Sequence, residues 1–249
     1  MKYKTRRILV SSLAIISVLI WIFANPESYE QVLTKAEEFA SETNPYSSAE
    51  ESNSGEESNP STALLATEAL GRLEVKGRAP KTGYSRDAFY PGWPTVDGCS
   101  LRQRIIKREF EDSAVMDGCD VISGEFDEPY TGKHMTFTSR DQISRGIQID
   151  HVVALSDAWQ KGAQYLDYDT RNKIATDPLN LLAVDAAANE KKSDGDAATW
   201  LPSNKKFRCQ YVARQVSVKY KYKLWVTEAE KAAIARILEQ CPSEPTIGI

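Results

Sequence analysis

Alternating apolar and polar residues predict two short β-strands in the second half of the chain. In "GIQIDHVVAL", residues 146–155, the alternation places Asp150 on one face of a strand and His151 on the opposite face. The apolar run "PLNLLAVD", residues 178–185, predicts a second strand. Shorter strands, interrupted by Gly and Pro, are expected over residues 119–138.

Helical periodicity surrounds these strands on both sides. Ser100 is the expected N-cap of one helix, and Thr227 with Glu230 forms a capping box at the start of the last one. Apolar residues spaced three and four apart predict helices over 62–75, 100–112, 208–222 and 227–241, with shorter pieces in 156–166, 168–177 and the first part of 187–202.

Residues 1–24 predict a targeting segment. The basic "MKYKTRR" is followed by the uncharged apolar run "ILVSSLAIISVLIWIFA", over 8–24. The length of this run lies between the apolar core of a signal peptide and a full membrane span. Three interpretations are open: a signal peptide cleaved near Ala24, an uncleaved membrane anchor, or a buried core helix. The first two place the rest of the chain outside the cytoplasm.

Residues 25–70 predict an acidic spacer. They contain 10 Glu and 1 Lys, and the stretch "NPYSSAEESNSGEESNPST" carries almost no large apolar side chain. Such a composition buries too little apolar surface to offset the entropy lost on ordering. We therefore divide the chain into a signal peptide or anchor over 1–24, a disordered acidic linker over 25–70 and a folded domain over 71–249.

The net charge of −4 conceals a difference between these parts. The segment over 1–24 carries +4 and the linker −9, which leaves +1 for the segment over 71–249. The segment over 191–223 contains nine Lys or Arg and two Asp. This basic stretch suits phosphate groups, although charges of this kind more often form a solvated helical face.

Four cysteines indicate disulfides in an exported chain. Three pairings of Cys99, Cys119, Cys209 and Cys241 are possible, and the local one, Cys99 with Cys119 and Cys209 with Cys241, is favoured. A four-cysteine zinc site is the alternative, but the chain has no Cys-x-x-Cys pair to support it.

The Asp150–His151 pair stands in the middle of an apolar run. A titratable pair in such a run is costly unless it is hydrogen-bonded or bound to a metal, and an isolated pair is usually structural. This pair is followed by Asn180 beside the second predicted strand and by Asn189 on a predicted helix. The "KSD" that comes soon after Asn189 completes an ordered set of motifs, which favours a site.

The order of these motifs resembles that of the HNH endonucleases, which share a ββα-metal fold. "IDHVVAL", "DPLNLLAVDAAAN" and "NEKKSD" correspond to their first strand, second strand and helix. The wider run from about Trp93 to Cys241 is similar to secreted bacterial HNH nucleases related to the nuclease half of GmrSD-type restriction enzymes. The resemblance implies an α+β fold with a ββα-metal core wrapped by additional helices. Ala154 departs from the pattern, since a proline is common at that position.

The resemblance also implies a role for each motif residue. Asp150 and Asn189 match the metal ligands, His151 matches the general base that activates water, and Asn180 matches the residue that orients this histidine. Oxygen ligands favour Mg²⁺ or Mn²⁺ over zinc. Since Asp150 and His151 point to opposite faces of a regular strand, a bulge or a strand end is needed for both to reach one phosphate.

Three basic residues near these motifs are candidates for holding substrate phosphates. They are Arg171, in the connection between the two predicted strands, and Lys191 and Lys192, on the predicted helix that carries Asn189. Each is equally well explained as a solvated surface charge.

These patterns predict an extracytoplasmic metal-dependent endonuclease, either membrane-anchored or secreted. We expect it to hydrolyse phosphodiester bonds of DNA, or of RNA, with little specificity, because no sequence-reading module is visible. Nucleic acid is the expected partner, together with the membrane if the segment over 1–24 is retained, and no protein partner is implied. The alternative is a non-catalytic cell-surface protein that binds nucleic acid or a cell-wall polymer through the basic stretch.

Overall fold

A computed structural model describes residues 64–248 of the chain. The targeting segment predicted over 1–24 and nearly all of the acidic linker lie outside the described residues. No helix between residues 64 and 248 combines the length and the apolar character that crossing a membrane requires. Within this range the fold is mixed α+β, with eight helices: α1 (Ala66–Arg72), α2 (Leu101–Phe110), α3 (Arg140–Gly146), α4 (Leu155–Gln160), α5 (Tyr168–Thr176), α6 (Ala186–Lys192), α7 (Arg208–Lys221) and α8 (Glu228–Leu238).

Seven strands form three small antiparallel sheets in the described part of the chain. β1 pairs with β2, β4 lies between β3 and β5, and β6 pairs with β7. The short strands expected over 119–138 are confirmed by β4 and β5. The strands are β1 (Thr95–Val96), β2 (Cys99–Ser100), β3 (Val115–Asp117), β4 (Asp120–Asp127), β5 (His134–Phe137), β6 (Ile147–His151) and β7 (Leu181–Asp185).

The β6–β7 hairpin is the centre of the fold because both of its faces are covered. One face packs on α2 through Ile147, Ile149 and Leu181, and the other contributes Leu182 and Val184 to a cluster with α1, α7 and α8. Burial on both sides accounts for the nearly continuous apolar sequence of β7. The register is unbroken from Ile147 opposite Asp185 to His151 opposite Leu181.

Helix α6 follows β7 without an intervening loop. Asp185 ends the strand and caps the helix, since its carboxylate accepts a hydrogen bond of 2.8 Å from the backbone N–H of Ala188. The hairpin and this helix therefore form a strand–strand–helix unit, with α4 and α5 inserted between the two strands.

The packed region begins upstream of residue 71. Ala66, Ala69 and Leu70 of α1 are buried in the cluster with α7 and α8, and Leu65 forms a β-bridge with Pro245. The boundary drawn between linker and domain at residues 70 and 71 falls inside α1. The segment counted as the end of the linker therefore contributes to the core.

Both disulfides follow the favoured local pairing. Cys99 bonds to Cys119, with a Cα–Cα distance of 5.4 Å, and Cys209 bonds to Cys241, with a Cα–Cα distance of 6.3 Å. The first joins β2 to the turn between β3 and β4, and the second joins the start of α7 to the end of α8. The alternative of a four-cysteine zinc site is wrong, because each sulfur is bonded to another sulfur.

A buried ammonium group lies where several elements meet. Lys161, which follows α4, is fully buried, and its Nζ lies 2.7 Å from a carboxylate oxygen of each of Asp157, Asp196 and Glu230. A buried charge is tolerated only when it is paired and hydrogen-bonded, and three carboxylates meet that condition.

A second buried lysine completes this ion cluster. Lys219 of α7 is fully buried and lies 3.1 Å from Asp157 and 2.8 Å from Glu230. Arg78 reaches the same carboxylates from outside, at 3.2 Å from Asp157 and 2.7 Å from Asp196. Three positive and three negative groups therefore balance in the ion cluster, which we define as Arg78, Asp157, Lys161, Asp196, Lys219 and Glu230.

Removing one carboxylate from the ion cluster should destabilise the domain strongly. We expect Glu230→Gln to lower the free energy of unfolding by about 3–5 kcal/mol, because two buried ammonium groups lose a negative partner. Urea denaturation followed by circular dichroism measures the change. Glu239→Gln, which neutralises an exposed glutamate just after α8, is the matched control. Equal stability of the two variants would contradict the structural importance of the cluster.

Candidate functional site

His151 is held rigidly at the end of β6. Its Nε2 lies 2.9 Å from the carbonyl oxygen of Ala175 at the end of α5, and this nitrogen must be the donor because a carbonyl only accepts. The ring stacks on Trp93 with a centroid distance of 5.9 Å and meets the edge of Tyr90 at 5.8 Å. In a neutral imidazole, a protonated Nε2 leaves the lone pair of Nδ1 free to accept a proton.

The environment keeps this histidine neutral. Burial lowers the pKa of His151 to about 3, and the positive charges of Arg86 and Lys192 act in the same direction. At neutral pH the imidazole is therefore uncharged. A neutral imidazole with a fixed tautomer is the form that accepts a proton. An anionic group bound in front of it would raise its pKa towards the near-neutral range that suits a general base.

A cavity of about 310 Å³ opens beside His151. Its wall carries two positive side chains, Arg86 and Lys81, together with Ser156 and Asp194. Asp194 accepts hydrogen bonds of 3.0 Å from both Lys81 and Ser156. A depression of about 780 Å³ lies elsewhere, next to Lys205 and Lys206. It contains none of the motif residues, so chemistry rather than size points to the cavity at His151.

Asn180 fixes the backbone around His151. Its side-chain oxygen accepts a hydrogen bond of 2.8 Å from the N–H of Val153, and its amide donates to the carbonyls of Val153 and Ile174. Its own carbonyl accepts from the N–H of Val152 at 2.9 Å. These bonds join the residues that follow His151 to the end of α5, which supplies the carbonyl that orients the ring. The geometry thus suits the orienting role predicted for Asn180.

Asp150 faces away from that cavity. Because the β6–β7 register is unbroken, Asp150 and His151 point to opposite faces of the hairpin. One carboxylate oxygen of Asp150 lies 2.9 Å from Nζ of Lys192, and the other accepts from the hydroxyl of Tyr130. Burial raises the pKa of Asp150, and the ammonium of Lys192 opposes that rise. Lys192 also donates to the carbonyl of His151, at 2.9 Å.

Asn189 lies on the same face of the hairpin as Asp150. Its amide donates a hydrogen bond of 2.8 Å to the side-chain oxygen of Gln148, two positions before Asp150. Asn189 and Lys192 are three positions apart on α6, so both face β6.

The proposed metal ligands have suitable oxygen atoms, but in this arrangement those of Asp150 are not accessible to a cation. Carboxylate and amide oxygens suit Mg²⁺. Both oxygens of Asp150 are already engaged by Lys192 and Tyr130, the carboxylate is buried, and the cavity at His151 is on the other side of the strand. Between residues 64 and 248, no group of three or more His, Cys, Asp or Glu is placed to hold a cation. As arranged, these residues do not fit a metal ion.

Two of the three candidate phosphate-binding residues have internal partners. Lys192 is buried against Asp150. Arg171 donates to the carbonyls of Ala88 and Leu166, and its guanidinium lies 5.7 Å from the ring of Trp159. The charge of Lys192 is buried and paired, which does not agree with a phosphate-binding role. Arg171 uses only two of its five N–H donors in these bonds, so its role stays a prediction. Lys191 is exposed, and its role stays a prediction.

The basic stretch over 191–223 is also partly internal. Lys192 and Lys219 are buried and paired with carboxylates, and Arg214 donates to the carbonyl of Leu179 at 3.0 Å. The stretch is therefore neither a continuous solvated face nor a continuous phosphate-binding surface.

Sequence reasoning missed the residues that surround His151 from upstream. Arg86, Tyr90 and Trp93 belong to the segment over 74–94, which we call the N-terminal arm. The stretch "YSRDAFYPGW" looks only turn-rich and aromatic. Nothing in its spacing relates it to a histidine so far downstream in the chain.

Comparisons with known proteins found a matching family and a similar protein. Residues 100–237 match the family described as "GmrSD restriction endonucleases, C-terminal domain". A protein of Arthroderma benhamiae named "Uncharacterized secreted protein" is 36% identical over 183 residues, which cover 72% of this chain and 86% of the relative. No solved structure matches the chain.

The Lys192–Asp150 pair should contribute much more to stability than the neighbouring lysine. We expect Lys192→Gln to lower the free energy of unfolding by about 3–5 kcal/mol, because it leaves a buried carboxylate without its counter-charge. Lys191→Gln is the matched control, since Lys191 is the exposed residue next to it. Thermal and urea unfolding of both variants measure the difference. A Lys192→Gln protein as stable as the control would show that Asp150 does not depend on this ammonium.

Proposed function

Because the chain belongs to the family of GmrSD restriction endonucleases, C-terminal domain, we propose that it is an endonuclease with its active site at the His151 cavity. The observation that carries this proposal is the geometry of His151. Its Nε2–H is fixed on a carbonyl, and Arg86 and Lys81 line the cavity beside it. Family membership supplies the reaction class, and this geometry supplies a base for it.

In the proposed reaction, a phosphodiester group enters the cavity with a water molecule next to His151. The free Nδ1 takes a proton from the water as the water attacks phosphorus. The bond from phosphorus to one sugar oxygen breaks, and this leaving oxygen takes a proton from solvent water. The imidazolium that forms is stabilised by the hydrogen bond from Nε2–H to the carbonyl of Ala175. Stacking on Trp93 limits rotation of the His151 ring. The hydrogen bonds of Asn180 hold the backbone at Val153, after His151, and at Ile174, near the end of α5.

The finer assignment to the HNH nucleases is part of the same proposal. β6, β7 and α6 occur in the order strand, strand, helix, and the Asp-His pair lies at the end of the first strand. This order supports a ββα-metal core. Membership of a secreted bacterial branch stays a prediction.

The requirement for Mg²⁺ or Mn²⁺ stays a prediction from the resemblance. Asp150 and Asn189 are the residues that it names, and Lys192 must leave Asp150 before that carboxylate can bind a cation. The steps proposed above use His151, Asn180 and their neighbours alone.

We propose DNA as the substrate, with little sequence specificity, and RNA as the other candidate. The positive side chains of the cavity suit the phosphates of either. The relative's name describes that protein as secreted, and two disulfides favour an oxidising compartment. These observations support a location outside the cytoplasm. Whether the segment over 1–24 acts as a signal or as a membrane anchor stays a prediction.

A non-catalytic surface protein is the weaker candidate. That function was predicted to use the basic stretch over 191–223. Two of its lysines are buried in ion pairs, so less positive charge reaches the surface than the sequence suggests.

Replacing His151 should remove cleavage and leave folding intact. We expect His151→Ala to reduce the rate of plasmid cleavage by about 10²–10⁴-fold, because one proton-transfer group is lost. The matched control is His134→Ala, which removes the other histidine of the chain, an exposed one on β5. Circular dichroism of both variants verifies folding. A well-folded His151→Ala protein with normal cleavage would contradict the mechanism.

Cation dependence can be measured on the wild-type protein. The resemblance predicts that EDTA abolishes plasmid cleavage and that Mg²⁺ or Mn²⁺, but not Zn²⁺, restores it. Undiminished cleavage in excess EDTA would show that this chain hydrolyses phosphodiesters without an exchangeable cation.

A further inference from the structure

We propose that Arg86 of the N-terminal arm binds the phosphate that is attacked by the water that His151 activates, and that Tyr90 positions the Arg86 guanidinium. This inference rests on the proposed function. It assigns a substrate-binding residue to a segment that lies upstream of the family-matched residues 100–237. The active site would then be completed by a part of the chain that the family match does not cover.

The N-terminal arm is fixed on the domain at several points. The backbone N–H of Lys76 donates to the carbonyl oxygen of Val226 at 3.0 Å, and that of Ala79 donates to the carbonyl oxygen of Gln160 at 2.8 Å. Arg78 belongs to the ion cluster, with its guanidinium 2.7 Å from Asp196. At the far end of the arm, Trp93 stacks on His151. The residues between these points therefore have a defined position over the cavity.

Arg86 is held by an aromatic residue rather than by an acid. Its Nε lies 3.1 Å from the hydroxyl of Tyr90, a second nitrogen contacts the same oxygen, and its guanidinium carbon lies 5.2 Å from the centre of that ring. Tyr90 is itself buried, so the hydroxyl is a fixed anchor. Among residues 64–248, no carboxylate lies within ion-pair distance of Arg86.

The other cation of the cavity has a partner. Lys81 lies 3.0 Å from Asp194, which neutralises it. Arg86 therefore carries the unbalanced positive charge of the cavity wall. A guanidinium has five N–H donors in a planar fork, so donors remain for a phosphate after Tyr90 is bound.

The position of Arg86 relative to His151 suits phosphodiester hydrolysis. The ring of Tyr90 lies 5.8 Å from that of His151, and Arg86 lines the same cavity as His151. A phosphate bound by Arg86 would lie in the cavity next to His151. The guanidinium would neutralise the non-bridging oxygens while Nδ1 of His151 takes the proton from the attacking water.

Three variants and one control test this proposal in the full chain. Arg86→Gln removes the charge, Arg86→Lys keeps the charge but loses the planar fork, and Tyr90→Phe keeps Arg86 but removes its anchor. The matched control is Arg72→Gln, because Arg72 is also exposed and lies 3.4 Å from a tyrosine hydroxyl, that of Tyr220, away from the cavity.

Two measurements are made for each variant. Cleavage of a short labelled DNA duplex gives kcat and KM. Binding of the same duplex, measured by fluorescence anisotropy in a His151→Ala background at several salt concentrations, gives the affinity and its salt dependence without cleavage.

We expect Arg86→Gln to raise KM and the dissociation constant by about 10- to 100-fold, the range for losing a hydrogen bond to a charged group. The slope of log affinity against log salt should fall by about one, because one fewer phosphate is neutralised. Arg86→Lys and Tyr90→Phe should weaken binding less and keep the slope. Arg72→Gln should behave as wild type.

An Arg86→Gln protein with the KM and salt slope of the Arg72→Gln control would overturn the proposal. A lower melting temperature with unchanged KM would do so as well, since it would show that Arg86 only packs on Tyr90. Failure of the proposed function is distinguishable: the wild type would then cleave no DNA, while the anisotropy data would still decide whether Arg86 binds phosphate.

Discussion

The ion cluster is the interaction on which the rest of this structure depends. Lys161 and Lys219 are buried ammonium groups, and the carboxylates that neutralise them come from α4, α8 and the segment after α6. Arg78 adds the N-terminal arm to the same group of charges. Since a buried charge cannot lose its partner without a large cost, these elements are obliged to stay together. Through Arg78 the same charges hold one part of the arm, and the far end of the arm places Trp93 on His151.

Two consecutive residues of β6 have separate environments. His151 faces a cavity with positive side chains, whereas Asp150 is enclosed between Lys192 and Tyr130 on the other side of the hairpin. Lys192 links the two, because the same ammonium also holds the backbone carbonyl of His151. Asp150 therefore helps to fix the strand end that presents the histidine, whatever else it binds during a reaction.

Local patterns allowed much of the architecture to be predicted. The alternation around Asp150 and His151 predicted β6, and the apolar run after Pro178 predicted β7. One of the two hydrogen bonds of the predicted capping box forms, since the hydroxyl of Thr227 accepts from the backbone N–H of Glu230. The side chain of Glu230 instead enters the ion cluster, because two buried lysines attract it more strongly than the helix terminus does.

Contacts between distant segments were not predictable in this way. A lysine in a basic stretch looks the same in sequence whether it is solvated or buried, and Lys192 and Lys219 differ from Lys191 only through the acids that the fold brings to them. Arg86 was missed for the same reason. Its meaning depends on Tyr90 and His151, and only the packing of the arm brings the three together.

The disulfides have a consequence for where this folding unit begins and ends. Each of them joins one cysteine inside the family-matched residues 100–237 to one just outside, Cys99 upstream and Cys241 downstream. A fragment cut at the family boundaries would carry two unpaired thiols and would lack Arg78, which leaves the buried acids in excess of the buried bases. In this protein the segment that the family model matches is therefore shorter than the unit that folds, and the flanking residues on both sides belong to the folded domain.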